Sequence, residues 1–253
     1  MRRRDISTAS RELAQFFTPQ PVAAFALDAL IALGLEAGPF RAVDPACGEG
    51  VFLAEARRRF PDAELWGYDL DETLAEHWQK VGLNGPRTHL AVQDGLLDAP
   101  LFGIGAGGFA LVMGNPPYGL GMARPGAGEP IEALFVRRFV ELARPGGWIA
   151  MVVPEGIVAN SRCQRLRDWV AARAALKAVV ALPESTFSRT GTRARTAVVL
   201  AQKGRGSAGG VLMASPEPPC EGKGGLRQYL AQVLGTIRSG ASHVPSRRGR
   251  RAR

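Results

Sequence analysis

Cysteine, histidine and tyrosine are scarce, with three of each in 253 residues. Cys47, Cys163 and Cys220 are odd in number and widely spaced, which excludes a disulfide framework and paired zinc-ligand motifs. Such usage fits a reducing compartment, and a cytoplasmic location is expected. His77, His89 and His243 stand apart, so no metal site is expected. Long apolar runs are also missing. The nearest, "PVAAFALDALIALGL" (21–35), is too short to span a bilayer and carries Asp28. It reads as an amphipathic helix opened by Pro21 and closed near Gly34. The start "MRRR" is charged like a leader peptide, but polar residues follow it, and no membrane association is expected. Negative charge is in deficit, 23 acidic against 32 basic residues. Residues 204–253 hold nine basic and two acidic residues, so most of the net +9 lies there. That Gly/Pro-rich stretch, with one short helical candidate in "LRQYLAQVLGTI", reads as a poorly ordered basic tail able to attract phosphates.

What is present is an alternation. Apolar runs at 40–44, 63–69, 89–94, 108–115, 148–154, 176–182 and 195–203 read as seven strands, several separated by segments of helical spacing. This predicts an α/β fold, a doubly wound, mostly parallel seven-stranded sheet filling one domain over 1–203. Ligands of such sheets bind beyond the carboxyl ends of the strands. Asp44, Asp69, Asp94 and Asn115 each end a strand run, a coincidence that core packing does not explain.

The loop "DPACGEG" (44–50) joins the first strand to a helix. Gly48 and Gly50 permit close backbone approach to a ligand, but Leu53 stands where a dinucleotide fingerprint needs its third glycine. Asp69 is spaced to accept from ribose hydroxyls, and Asp94 is placed to accept from an adenine amino group. A nucleoside ligand without a cradled pyrophosphate fits this set better than a dinucleotide. Cys47 reads as a small, half-buried filler. The segment "GNPPYG" (114–119) follows the fourth run. Its prolines cannot continue a central strand, and Pro116 pushes Asn115 toward extended backbone. The chain thus sets an amide, a rigid turn and the Tyr118 ring at a strand end.

In this order, "FFTPQPVA", "DPACGEG", "GYDLDE", "QDGLL" and "NPPYG" resemble the motifs of S-adenosylmethionine-dependent DNA adenine-N6 methyltransferases. "GGWIAMVVPEGI" and "FSRTGTRARTAVVLAQK" are similar to later motifs of type I restriction-modification methylation subunits, so the resemblance covers about residues 11 to 203. It implies a Rossmann-like class I methyltransferase fold, whose last strand is antiparallel, S-adenosyl-L-methionine as cofactor and DNA as substrate. Thr18, with Phe16 and Pro19, would meet the methionine end of the cofactor. Asp44, Ala46, Cys47, Gly48 and Gly50 would line its floor. Asp69 would hold the ribose, Leu70 the adenine face, and Asp94 with Gly95 the adenine edge. Asn115, Pro116, Pro117 and Tyr118 would form the catalytic motif, with Asn115 also bordering the cofactor. Tyr118 and Phe187 would stack on the target base.

The resemblance departs in two respects: neither a target-recognition region nor the long helical amino-terminal region of type I subunits is evident. Three readings stay open: sequence recognition is outsourced to a specificity or target-recognition subunit as partner, is weak, or is missing through truncation. RNA adenine and protein glutamine methylation use the same motif chemistry. A catalytically silent cofactor-binding subunit is the alternative from another class.

Overall fold

The structure, a computed structural model, describes residues 18–97, 107–119, 128–190, 194–204, 210–216 and 224–240. Helix α1 (Gln20–Ala32) leads into β1 (Arg41–Asp44), α2 (Val51–Arg59), β2 (Glu64–Asp69), α3 (Leu74–Lys80) and β3 (Thr88–Val92). Then come β4 (Phe109–Gly114), α4 (Ile131–Leu142), β5 (Ala143–Pro154), α5 (Glu155–Ala159), a 3₁₀ turn (Ser161–Cys163) and α6 (Gln164–Ala171). The chain continues through β6 (Ala174–Ala181), a 3₁₀ segment (Glu184–Thr190), β7 (Thr196–Lys203), β8 (Leu212–Ala214) and α7 (Gly225–Arg238).

The strands form one sheet in the order β3-β2-β1-β4-β5-β7-β6-β8. Neighbours from β3 to β5 run parallel, and β7 is antiparallel to both β5 and β6. This is the expected sheet, with an antiparallel β7, plus an eighth strand that pairs parallel with β6. The order reverses at β1, which lies between β2 and β4, and this switch point opens the crevice where α/β sheets take ligands.

Both faces of the sheet are covered, as period-2 alternation requires. Along β5, Trp148, Ala150 and Val152 join the core under α1, α2 and α7. Ile149, Met151 and Val153 join the core under α4 and α6. Helix α1 differs from the amphipathic expectation. Val22, Ala23, Phe25, Ala26, Leu27, Ala29 and Leu30 are all buried, nearly all round the helix. The cause is α7, which packs against α1 and buries Tyr229, Leu230, Val233 and Ile237 against this core. The Tyr229 hydroxyl donates to the Ala181 carbonyl at 2.9 Å, tying α7 to the end of β6. The expectation of a tail poorly ordered from residue 204 onward is thereby corrected: β8 and α7 belong to the packed core. The arginine-rich segment 247–253 lies outside the described residues.

Candidate active site

The site builds on four strand ends. Asp44 and Asp69 are the last residues of β1 and β2, Asn115 directly follows β4, and Asp94 lies two residues past β3. Between β1 and α2 the loop turns tightly: Gly48 and Gly50 have φ of 52° and 83°, a region that favours glycine. The loop is bolted to its neighbours. Cys47 N–H donates to the Tyr68 carbonyl at 2.7 Å, and Gly48 N–H to Asp69 Oδ2 at 2.8 Å. Trp78 Nε1 donates to the Gly48 carbonyl at 2.8 Å. A Cβ on Gly48 would meet no atom within 4 Å, so this backbone borders open space.

Asp44 is buried and accepts from Ala46 N–H at 3.1 Å. Burial pushes its carboxyl well above the usual carboxylate range, against the lowering effect of that N–H, and the Asp69 charge adds to the rise. Cys47 is a buried filler whose thiol burial likewise drives upward. Asp69 also accepts from Asp71 N–H at 3.1 Å. Leu70, next to it, is 58% exposed, an apolar face held open beside a carboxylate. Asp94 accepts from Leu96 N–H at 2.9 Å, and Gly95 has no room for a side chain, since a Cβ would lie 1.9 Å from the Pro45 carbonyl oxygen. The crevice thus gathers the Asp69 and Asp94 carboxyl groups, an exposed aliphatic face at Leu70 and an open glycine floor at Gly48.

The motif after β4 meets this floor. Gly114 has φ of 152°, and a Cβ there would sit 2.4 Å from Asp44 Oδ1. The absent side chain lets the strand end lie on the Asp44 carboxylate, which brings Asn115 to the glycine loop. Asn115 and Pro117 are half-buried, while Pro116 and Tyr118 are buried. Burial raises the Tyr118 hydroxyl pKa, so it stays a neutral phenol.

Three sequence expectations fare differently. Phe187 is 1% exposed and packs in the core under α1 and α7. In this conformation the ring presents no face to a base, and the same holds for Tyr118, which is 3% exposed. Thr18 and Pro19 are half-buried ahead of α1. The Gln20 side chain donates to Glu55 on α2 at 2.7 Å, which sets this entry against the helix that follows the glycine loop. Phe16 lies outside the described residues.

Gly114, Trp78 and Arg138 escaped the sequence reading. Gly114 was visible as the residue before the motif, Trp78 only as an aromatic on a helix. Arg138, buried on α4, donates from Nε to the Gly95 carbonyl at 3.0 Å and from Nη2 to the Leu97 carbonyl. It clamps the Asp94 loop from the helix that follows the Asn115 turn, across 43 residues of sequence. No local signal announces such a bond.

Among the described residues no cluster of three metal-ligating side chains occurs, and no helix is long and apolar enough to cross a membrane.

A family model described as N-6 DNA Methylase matches residues 4–228. Defense against restriction protein B of Escherichia phage P1 is 25% identical over 201 residues, which are 76% of this chain and 8% of that protein. Among solved structures, a modification subunit assigned to a type I restriction enzyme of Vibrio vulnificus YJ016 superposes with a TM-score of 0.70 and 20% identity. That match covers 88% of this chain and 52% of the other. A Listeria monocytogenes protein assigned to the class I S-adenosylmethionine-dependent methyltransferases gives a TM-score of 0.66 at 18% identity, covering 88% of this chain and 71% of that one. The M protein of type I restriction enzyme EcoKI gives 0.64 at 19%, covering 91% and 55%. The chain thus spans about half the length of the two restriction-modification subunits and a small part of the phage protein.

Proposed function

Because this chain belongs to the N-6 DNA methylase family, we propose that it transfers a methyl group from S-adenosyl-L-methionine to the N6 amino group of adenine in DNA. The observation that carries the proposal is the contact of Gly114 with Asp44. Asn115 follows Gly114 directly, and Asp44 opens the glycine loop, which supports a reading in which donor and acceptor chemistry share one crevice.

When bound, the cofactor supplies an electrophilic methyl on a sulfonium centre. Asp69 would take the ribose hydroxyls, Asp94 the adenine amino group, and Leu70 would cover the ring. At the target, the Asn115 side-chain carbonyl and the Pro116 backbone carbonyl accept hydrogen bonds from one exocyclic amine. Those bonds draw the nitrogen away from conjugation with its ring and aim its lone pair along the line of transfer. Positioning carries most of the acceleration. Pro116 and Pro117 hold the turn rigid. The Tyr118 ring stacks on the base once the turn opens toward it, since Tyr118 is 3% exposed here. An adenine inside a duplex must leave the stack to reach this crevice. A specificity subunit as partner would select the site, in a restriction-modification system or a related one.

The test is direct. The protein is incubated with methyl-labelled cofactor and DNA, RNA or protein, and the product is digested and identified. Label in N6-methyladenine from DNA is expected, and Asn115→Ala should lower single-turnover transfer by orders of magnitude while leaving cofactor affinity nearly intact. Label confined to RNA or to glutamine would refute the substrate; transfer at wild-type rate in the variant would refute the mechanism.

A further inference from the structure

The near-neutral charge of the core conceals two opposite halves of one rim. In the turns beyond β1, β2 and β3 (44–50, 69–73 and 93–97) stand six acidic residues, Asp44, Glu49, Asp69, Asp71, Glu72 and Asp94, and no basic one. Among the described residues beyond β5 and β6 (155–165, 182–188 and 194–195) stand three arginines, Arg162, Arg165 and Arg195, and two acids, Glu155 and Glu184. The boundary falls between β4 and β5, beside Asn115. A polyanion is repelled from the first half and attracted to the second.

Within the basic half, the turn between α5 and α6 is held ready. Asn160 Oδ1 accepts from Arg162 N–H at 2.9 Å, and the Asn160 carbonyl accepts from Cys163 N–H at 3.1 Å. Arg167 donates to the carbonyls of Asn160 at 2.7 Å and Ile157 at 3.1 Å. Arg195 is engaged by Glu184 at 2.6 Å. Arg162 and Arg165 differ: both are exposed, and neither has an ion-pair partner among the described residues. Their position follows from register. Met151 pairs with Gly114, and β5 ends three residues later at Pro154, so α5 and this turn leave the same rim one strand away from Asn115. Glu155 lies seven residues or more from either arginine in sequence, and Asp168, three residues past Arg165, accepts from the Gln164 side chain at 2.7 Å.

We propose that the turn Asn160–Arg165 is a phosphate-binding surface that grips the DNA strand carrying the target base, through Arg162 and Arg165. The assignment rests on the functional reading above and gives it a direction: the strand crosses the rim over β5 and β6, away from the acids of the cofactor half. Because the turn is braced by Asn160 and Arg167, the two guanidinium groups are presented without a loop having to order first. Phosphate contacts position the strand and carry no sequence information, so the surface serves any target sequence.

The test uses the full chain and fluorescently labelled duplex DNA, titrated at a series of salt concentrations. In Arg162→Gln/Arg165→Gln the slope of log affinity against log salt should flatten by about 1.8, from about 0.9 per lost phosphate contact. The Arg162→Lys/Arg165→Lys variant should keep most of the slope, which separates lost charge from lost folding. Arg144→Gln is the control, because Arg144 is an exposed arginine at the opposite end of β5 and its loss should leave the slope unchanged. Cofactor affinity should be the same in all four proteins. An unchanged slope in the double glutamine variant would overturn this surface while leaving the methylation reading intact. Equal flattening by Arg144→Gln would overturn it too, showing diffuse charge. A wild-type chain that binds no DNA would remove both.

Discussion

Gly114→Ala tests the joint between the two halves of the site. The added Cβ would stand 2.4 Å from Asp44 Oδ1, whereas ordinary contact begins near 3.4 Å, so something must move by about 1 Å. Neither neighbour yields easily. Asp44 is 1% exposed and held by Ala46 N–H. The backbone of β4 is hydrogen-bonded in parallel to β1 on one side and β5 on the other. The φ of 152° is costly for alanine as well, by about 1–3 kcal/mol of backbone strain. The displacement leaves through the next residue, Asn115. A shift of about 1 Å at a positioning group costs on the order of 100-fold in rate, or about 2.7 kcal/mol of barrier. Rapid-quench measurement of a single turnover at saturating cofactor reads this directly, and a thermal melt confirms that the variant is folded at the assay temperature. Gly156→Ala, where a Cβ meets nothing within 4 Å, controls for the added methyl. Transfer by Gly114→Ala within a fewfold of wild type would refute the claim that Asp44 and Asn115 form one rigid joint.

Three further outcomes are expected. Asp69→Ala should weaken cofactor binding by about 1–3 kcal/mol, because it removes a ribose acceptor and unties Gly48 N–H; calorimetry with unchanged affinity would take Asp69 out of the site. Arg138→Lys should weaken it by about 1.5–3 kcal/mol, since one ammonium cannot span the Gly95 and Leu97 carbonyls; identical affinity would show that the clamp is dispensable. A chain ending at Lys203 should lose its cooperative melt. It lacks four large buried side chains of α7, worth about 1.5–3 kcal/mol each, against a total stability of about 5–15 kcal/mol. A soluble truncated chain with native cofactor affinity would overturn that expectation.

Much of the site was legible because its signals are local. Strand ends at Asp44 and Asp69, the turn glycines Gly48 and Gly50, and the prolines after Asn115 follow from alternation and backbone sterics among near neighbours. The antiparallel β7 came with the family resemblance. Less local features did not show. Strand β8 has three residues, too few for a period, and α7 is flanked by Gly/Pro-rich sequence that reads as linker. An indirect sign existed: α1 is too apolar to face water, so some later element had to cover it. Phe187 shows the converse. Its motif suggested a base platform, and only the folded core decided that the ring is enclosed in this conformation.

The pairing of Arg138 with the Asp94 loop, the seating of Gly114 on Asp44, and the separation of acidic and basic turns along one rim all depend on which strands become neighbours. Local periodicity places each strand and its terminal residue, because side-chain direction and turn conformation are set within a few residues. Which ends meet is set by the order β3-β2-β1-β4-β5-β7-β6-β8, a property of the whole folded chain, since burial on both faces must be satisfied at once.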